Sequence, residues 1–308
     1  MSQTTSRFTH TRFLASAALL LIGLISSSGC VQDRYRYGIS KQELLDDLPR
    51  TPNLITMGGH HPRIDSIERT VQYPGKVIRK WFPSKDPDEA IPLDERRMLA
   101  VQAASDYLDD NGLKGVNIDV REYNPRQQWS RLQNNERIAP FWKYTGGTVC
   151  HIGYCLLPGR AFGRDSYNPF TNTLSINSTS REQSVYESAY VKKLYDQRYP
   201  GTYLAFNGLP VVPLFREASI STDALSYARA KQDWKLERNL YPQVYGRMGG
   251  DIASQAFSLI PGVSFLPFWT RPVPFAVGRV AGSATGEVIA RQKEKEVTAR
   301  ASDTNLRR

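Results

Sequence analysis

The stretch YNPFTNTLSINSTSREQSVYESAYVKKLY (residues 167–195) predicts a strand followed by a helix, and it is the most informative part of the chain. Its first half, residues 167–178, joins a turn that contains Asn and Pro to a short apolar strand. After a polar gap, a helix follows that contains Tyr186, Glu187 and Tyr190. Residues four apart lie on one helix face, so we expect the two tyrosines side by side.

This order of elements resembles that of the gluzincin group of zinc peptidases, in which a turn and a strand lead into a helix with the motif HExxH. In that motif the two histidines bind zinc and the glutamate activates the metal-bound water. Here Tyr186 and Tyr190 match the ligand positions and Glu187 matches the general base. Glu217, 30 residues after Glu187, matches the third ligand, a Glu on a following helix. The resemblance covers roughly residues 140–245 and implies a zincin-like fold.

The two tyrosines change the chemistry that the resemblance implies. A phenol has a pKa near 10 and must lose its proton before it binds zinc, whereas imidazole is neutral and ready near pH 7. We therefore expect a site without zinc or another cofactor, in which Tyr186 and Tyr190 fill the former metal cavity. Two alternatives stay open. Either Tyr186, Glu187 and Tyr190 are one face of an ordinary amphipathic helix, or the protein is an active hydrolase that is metal-assisted or uses Glu187 and Glu217 as a carboxylate pair.

The rest of the body, residues 93–247, predicts an α+β fold with a small mixed sheet and two long helices. Residues 94–110 have helical spacing of apolar side chains, and residues 116–121 alternate as in a half-buried strand. Residues 144–150 and 154–157 are interpreted as paired strands. That hairpin would bring Cys150 and Cys155 together as a disulfide, as expected in an exported protein. A metal site of Cys150, His151 and Cys155 is the alternative.

The amino terminus predicts export. Arg7 and Arg12 precede an apolar run that ends in small residues, so residues 1–29 are typical of a signal peptide. The following SSGC resembles the lipobox of bacterial lipoproteins, in which the thiol, here Cys30, is lipidated. Val31 is not the Asp that retains such proteins in the inner membrane, so the resemblance implies outer-membrane sorting. Residues 30–92 are rich in Pro and Gly and are interpreted as a tether and extension; they include His60 and His61 in a polar loop.

The carboxyl-terminal part, residues 248–290, predicts a helical hairpin. Residues 252–270 carry no charge, and Gly278, Gly282 and Gly286 then repeat every four residues. Small residues at this spacing allow two helices to approach closely. Packing against the body, the bilayer surface or a protein partner is favoured over a membrane span, because polar and charged residues interrupt the apolar segments. Residues 291–308 are interpreted as a charged tail.

Composition limits the possible partners. The 308 residues carry a formal net charge of +10, and loss of Arg7 and Arg12 with the signal peptide leaves +8, from 38 basic against 30 acidic residues. For an exported protein this charge indicates attraction to anionic lipid or to an envelope polymer. No motif for nucleic acid, phosphate loop or serine nucleophile accompanies it. The sequence therefore predicts a binding or scaffolding lipoprotein.

Overall fold

The computed structural model describes residues 34–44, 49–59, 61–62, 64–68, 70, 91–207, 209, 212–258 and 272–306. The strands are β1 (Leu54–Met57), β2 (Asn117–Val120), β3 (Ser166–Asn168) and β4 (Thr173–Ile176). The helices are α1 (Leu93–Asp110), α2 (Pro125–Asn134), α3 (Pro140–Trp142), α4 (Thr148–Leu156), α5 (Gly159–Phe162), α6 (Arg181–Tyr195), α7 (Pro200–Phe206), α8 (Val212–Ala230), α9 (Trp234–Ser258) and α10 (Pro272–Leu306). Residues 35–308 belong to one unit, and Arg34 is the only described residue of the other unit, residues 1–34.

The protein combines many helices with one small mixed sheet. The strand order in the sheet is β1-β2-β4-β3. Strands β1, β2 and β4 are parallel, and β3 runs antiparallel to β4. Ile118 of β2 is paired with Leu174 of β4, and both are fully buried. The predicted mixture of α and β structure with a small mixed sheet is therefore confirmed.

The sheet core is closed by α1 and α6, which pack against each other. Ala100, Ala104 and Leu108 of α1 recur at helical spacing and are buried with Val191 and Leu194 of α6. A second apolar cluster joins the other side of α6 to α8 and α9. Burial on both sides explains why most of α6 is inaccessible to solvent and why its polar residues need partners inside the protein.

Strand β1 lies in the segment that the sequence analysis treated as an extension. It pairs with β2 at the edge of the sheet, and Leu54, Ile55 and Met57 are exposed. Four residues with mixed exposure give no alternating pattern, so the sequence carried little signal for this strand.

Residues 144–150 and 154–157 were predicted as paired strands, but the chain is helical from Lys143 to Leu156, so that prediction is wrong. A π-helical turn, Lys143–Gly147, leads directly into α4. Gly146 and Gly147 allow this turn to approach the ring of Phe170, and a Cβ on Gly147 would lie 2.7 Å from Leu132. Val, Ile and Tyr favour strands by propensity, yet they lie in α4, where Val149 and Ile152 are exposed.

The last two long helices, α9 and α10, run antiparallel and pack against each other. Gly278, Gly282 and Gly286 face the backbone of α9, and a Cβ on Gly282 would overlap the carbonyl group of Tyr245. Among the described residues, no helix is long and apolar enough to cross a membrane. Residues 259–271, which include much of the uncharged run, lie outside the described part of the chain.

Candidate functional site

Helix α6 is fixed at its start by a buried carboxylate. The side chain of Ser180 caps the helix, and Asp165 accepts hydrogen bonds from the backbone N–H and the hydroxyl of Ser178 and from the hydroxyl of Ser184. Burial raises the pKa of Asp165, and these hydrogen bonds oppose the rise. The cap sets the rotation of α6 and hence the direction of the side chains one turn further on.

Glu187 points into the protein and is held on both carboxylate oxygens. Arg247 of α9 donates from Nη2 to Oε1 at 2.7 Å, and the backbone N–H of Tyr167 donates to Oε2 at 3.3 Å. The guanidinium of Arg247 also lies 4.1 Å from the centroid of the Tyr186 ring. With side chains only 13% and 7% exposed, Arg247 and Glu187 form a buried ion pair.

Glu217 of α8 is held in the same way by two neighbours. Tyr186 donates its hydroxyl proton to Oε2, and Arg216 donates to Oε1 at 2.8 Å. Arg216 also lies over the ring of Tyr190, 5.4 Å from its centroid. The structure therefore brings Tyr186, Glu187, Tyr190 and Glu217 into one cluster, with a guanidinium group on each carboxylate.

The electrostatics keep both phenols protonated. Burial raises the pKa of Tyr186 well above its usual value, and the negative charge of Glu217 raises it further. Burial also raises the pKa of Tyr190, although the charge of Arg216 opposes the change. Burial disfavours the charge on Arg247, but the interactions with Glu187, Tyr186 and Glu217 together outweigh this effect and raise the pKa of the guanidinium.

Asp251 is a carboxyl group of this region with a raised pKa. Burial and the negative charge of Glu217 raise its pKa to about 6, although Arg216 and Arg247 act in the opposite direction. It lies on α9, one helical turn after Arg247. A carboxyl group with this pKa changes its protonation state as the pH passes through about 6.

The donor set of the cluster does not fit zinc. Tyr186 uses its proton in the bond to Glu217, and zinc binding would require both tyrosines to be deprotonated. Arg216 and Arg247 already neutralise the two carboxylates, and their charges repel a cation. Among the described residues, no group of three or more His, Cys, Asp or Glu is arranged to hold a metal ion.

Sequence analysis missed the residues that complete the cluster, namely Arg216, Arg247 and Asp251. Arg216 is adjacent to Glu217 in the sequence and could have been predicted, because a buried carboxylate such as Glu217 requires a positively charged or hydrogen-bonding partner. Arg247 lies 60 residues after Glu187, and no spacing rule connects positions so distant.

Cys150 and Cys155 both lie on α4 as free thiols, so the predicted disulfide is absent. Five residues along a helix turn the two side chains roughly 140° apart, which prevents a bond between them. Instead the Sγ of Cys155 lies 3.6 Å from Nε2 of His151, which packs against the ring of Trp129. The alternative metal site of Cys150, His151 and Cys155 is not formed, because no metal-holding group includes these described residues.

Other predicted residues lie elsewhere. Cys30 and His60 are outside the described residues. His61 packs against Tyr123, and the three glycines Gly278, Gly282 and Gly286 lie at the α9–α10 contact. Neither group contacts the Glu187–Glu217 cluster.

Comparison of this chain with known protein families, with characterised proteins and with solved structures finds no match.

Proposed function

We propose that this protein is a bacterial envelope lipoprotein, attached through Cys30 and sorted to the outer membrane, whose zincin-like body is non-catalytic. It acts by binding or scaffolding at the envelope. The observation that carries this proposal is that Arg247 and Arg216 neutralise Glu187 and Glu217. If Tyr186, Glu187, Tyr190 and Glu217 match the gluzincin positions, positive charge from guanidinium groups takes the place of the metal ion.

The pairing disfavours both chemical roles that the carboxylates would play in a hydrolase. A general base must reach a water or a substrate proton, yet Glu187 is buried and uses both oxygens within the protein. A general acid must reach the substrate, whereas Glu217 accepts hydrogen bonds on both oxygens from Tyr186 and Arg216 within the protein. The cluster thus supports a structural role for these residues.

Metal analysis tests the non-catalytic reading. The mature chain from position 30, with Cys30→Ser, is dialysed against trace zinc and its metal content is measured by elemental mass analysis. We expect no stoichiometric zinc. One zinc per chain would contradict the proposal and would require the arginine pairs to open.

Genetic complementation tests the role of Glu187. Glu187→Gln keeps an oxygen that can accept from Arg247 but loses the charge needed by a general base. We expect this variant to rescue every phenotype of a deletion strain, provided that its level in the cell matches the wild type. Failure of a stably produced variant to rescue would favour catalysis.

Membrane fractionation tests the attachment. Cys30→Ala removes the thiol that would carry the lipid, so we expect the protein to be lost from the membrane fraction. The free thiols on α4 offer a control, because Cys150→Ala leaves Cys30 intact and is expected to stay membrane-bound. If Cys30→Ala stays in the membrane fraction, attachment must be assigned to residues 248–290 or to a partner.

The alternative is an active hydrolase, and Asp251 is the observation in its favour. With a pKa of about 6, this carboxyl can deliver a proton near neutral pH beside Glu217. A screen against peptide and glycan substrates would support this function only if Asp251→Asn abolishes the activity found.

A further inference from the structure

A basic cleft of about 970 Å³ lies at the amino-terminal ends of β2 and β4, where Asn117 and Thr171 line it. Four arginines and a single acidic residue, Glu136, are the charged groups among its described lining. The arginines are Arg50, Arg131, Arg137 and Arg198. Sequence analysis anticipated an overall positive charge but gave it no location.

Two polar atoms in the lining of the cleft are buried without a partner among the described residues. They are Nη2 of Arg131 and the hydroxyl oxygen of Thr171. The side chain of Arg131 is 10% exposed, and Thr171 is 2% exposed. Buried polar groups almost always have a hydrogen-bond partner, so Arg131 and Thr171 are two lining residues with hydrogen-bonding capacity that a ligand could use once its binding opens access to these atoms.

The guanidinium of Arg131 is fixed in place by the sheet. Asp119, a buried residue of β2, accepts from Nη1 at 2.7 Å, and the hydroxyl of Thr173 lies 3.3 Å from the same atom. Thr171 and Thr173 are in turn joined by a hydrogen bond from the hydroxyl of Thr173 to the carbonyl of Thr171. Arg131 and Thr171 therefore both flank the first residue of β4, and Nη2 of Arg131 has no acceptor among the described residues.

A second arginine is also held before any ligand arrives. The guanidinium of Arg137 lies 3.9 Å from the ring centroid of Tyr195, and its Nη2 donates to the carbonyl of Leu194. Preorganised guanidinium groups lose little side-chain entropy when they bind an anion. Arg50 and Arg198 are exposed and add positive charge at the mouth of the cleft.

We propose that this cleft binds a phosphate group carried by a polar ligand. Phosphate offers several acceptor oxygens in a tetrahedral array, which matches guanidinium donors together with a free hydroxyl. The source of the phosphate is either a small soluble phosphate ester or the headgroup of an anionic phospholipid. The segment of residues 35–44, which follows Cys30 in the chain, reaches this cleft. Leu44 lines the cleft, and the backbone N–H of Ser40 donates to Asp196 beside it.

Binding is measured on the mature chain from position 30 with Cys30→Ser, so that no lipid anchor contributes. One arm titrates glycerol 3-phosphate by calorimetry. The other arm measures co-sedimentation with vesicles of phosphatidylglycerol, against vesicles of phosphatidylcholine alone. Binding in the first arm assigns a soluble ester, and binding only to phosphatidylglycerol vesicles assigns a lipid headgroup.

Three variants test the site itself. Thr171→Val keeps the shape of the side chain and removes the unpartnered hydroxyl, so we expect an unchanged or higher melting temperature together with several-fold weaker binding. Arg50→Ser and Arg198→Ser, at exposed positions, are expected to weaken binding by about tenfold each. Arg126→Ser is the matched control, because it removes the same charge from an exposed position outside the cleft.

The proposal is overturned if neither probe binds, or if the three cleft variants bind as tightly as Arg126→Ser. Equal loss in Arg50→Ser, Arg198→Ser and Arg126→Ser, with no loss in Thr171→Val, also overturns it, because net charge alone would then explain the binding. These results are independent of the metal and fractionation tests, so failure here leaves the proposed lipoprotein function standing.

Discussion

Glu187 and Arg247 form the buried ion pair that distinguishes this cluster from a metal site. Burying two charges is costly, and the mutual attraction compensates for this cost only while both partners are present. Each of the two residues also makes a further contact, with the N–H of Tyr167 and with the ring of Tyr186. Removal of one partner should therefore be far more harmful than removal of both.

We expect Arg247→Met to lower the free energy of unfolding by about 3–5 kcal/mol, because Glu187 is left as a buried, unpaired charge. The double variant Arg247→Met with Glu187→Met should recover most of this loss. Urea denaturation of both variants and the wild type measures the difference. Lys293→Met, which breaks the exposed pair with Glu296, serves as the control and should cost less than about 1 kcal/mol. A double variant as unstable as Arg247→Met would contradict the assignment.

The raised pKa of Asp251 predicts a pH-dependent stability. Its pKa is about 6 in the folded protein against 3.8 for the free side chain, so the folded state holds the proton more tightly. The contribution of Asp251 to stability is therefore full below about pH 4 and is lost as the pH rises through 6. Asp251→Asn, which stays neutral, should be more stable than the wild type at pH 7 by about 1 kcal/mol after solvent screening.

Chemical denaturation of the wild type and Asp251→Asn between pH 4 and pH 7.5 measures this effect. The advantage of Asp251→Asn should appear between pH 4 and 6 and then level off. Asp106→Asn, at an exposed position on α1, controls for the loss of one negative charge. An advantage of Asp251→Asn that is constant across the range would contradict the assignment.

At the scale of elements, the contact of α9 with α10 depends on the absence of side chains. We expect Gly282→Ala to lower the free energy of unfolding by about 1–3 kcal/mol, because its Cβ would overlap the carbonyl of Tyr245 and force the helices apart. Gly153→Ala is the matched control in α4, where nothing lies near the added Cβ. It should stabilise the protein by about 0.5–1 kcal/mol. Thermal denaturation measures both, and equal effects would rule out a close helix contact at Gly282.

The elements that were predicted correctly from the sequence are those with a regular pattern of buried apolar side chains on one face. Val116, Ile118 and Val120 alternate in sequence and are buried, and α1 follows its apolar spacing. The alternation also predicted an exposed Asp119, whereas this residue is buried because Arg131 and Gln128 bind it. An alternation of apolar and polar residues indicates that one face of a strand is exposed to solvent. It cannot reveal that a helix covers this face and provides polar partners.

The candidate site shows the same division between local and distant information. Helical spacing placed Tyr186 and Tyr190 together, and the gluzincin resemblance pointed to Glu217. The partners that decide the chemistry, Arg216 and Arg247, come from α8 and α9. Their positions depend on how three helices pack, and helix packing is set by side-chain interlocking along the whole contact rather than by any short motif.

At the scale of the whole molecule, the segment after the proposed lipid attachment site is bound to the body. Tyr35 is buried and donates to Asn111, and Lys192 donates to the carbonyl of Arg36 at 2.7 Å. Four residues lie between Cys30 and Tyr35, and the five steps from one to the other span at most about 18 Å when the chain is fully extended. With lipid on Cys30, the body would therefore stay close to the membrane, rather than at the end of a tether that extends to residue 92.

Hydrogen exchange of the backbone amides tests whether this segment is bound. We expect the amides of Gly38, which donates to Asn111, and of Ser40 to exchange slowly. Lys192→Met removes the charged donor to Tyr35 and Arg36, so exchange there should become roughly 10- to 100-fold faster. Lys193→Met, one position further along α6, should leave it unchanged. Fast exchange in the wild type would mean that residues 35–40 are free, and the proposed lipid anchor would then permit a much greater distance between body and membrane.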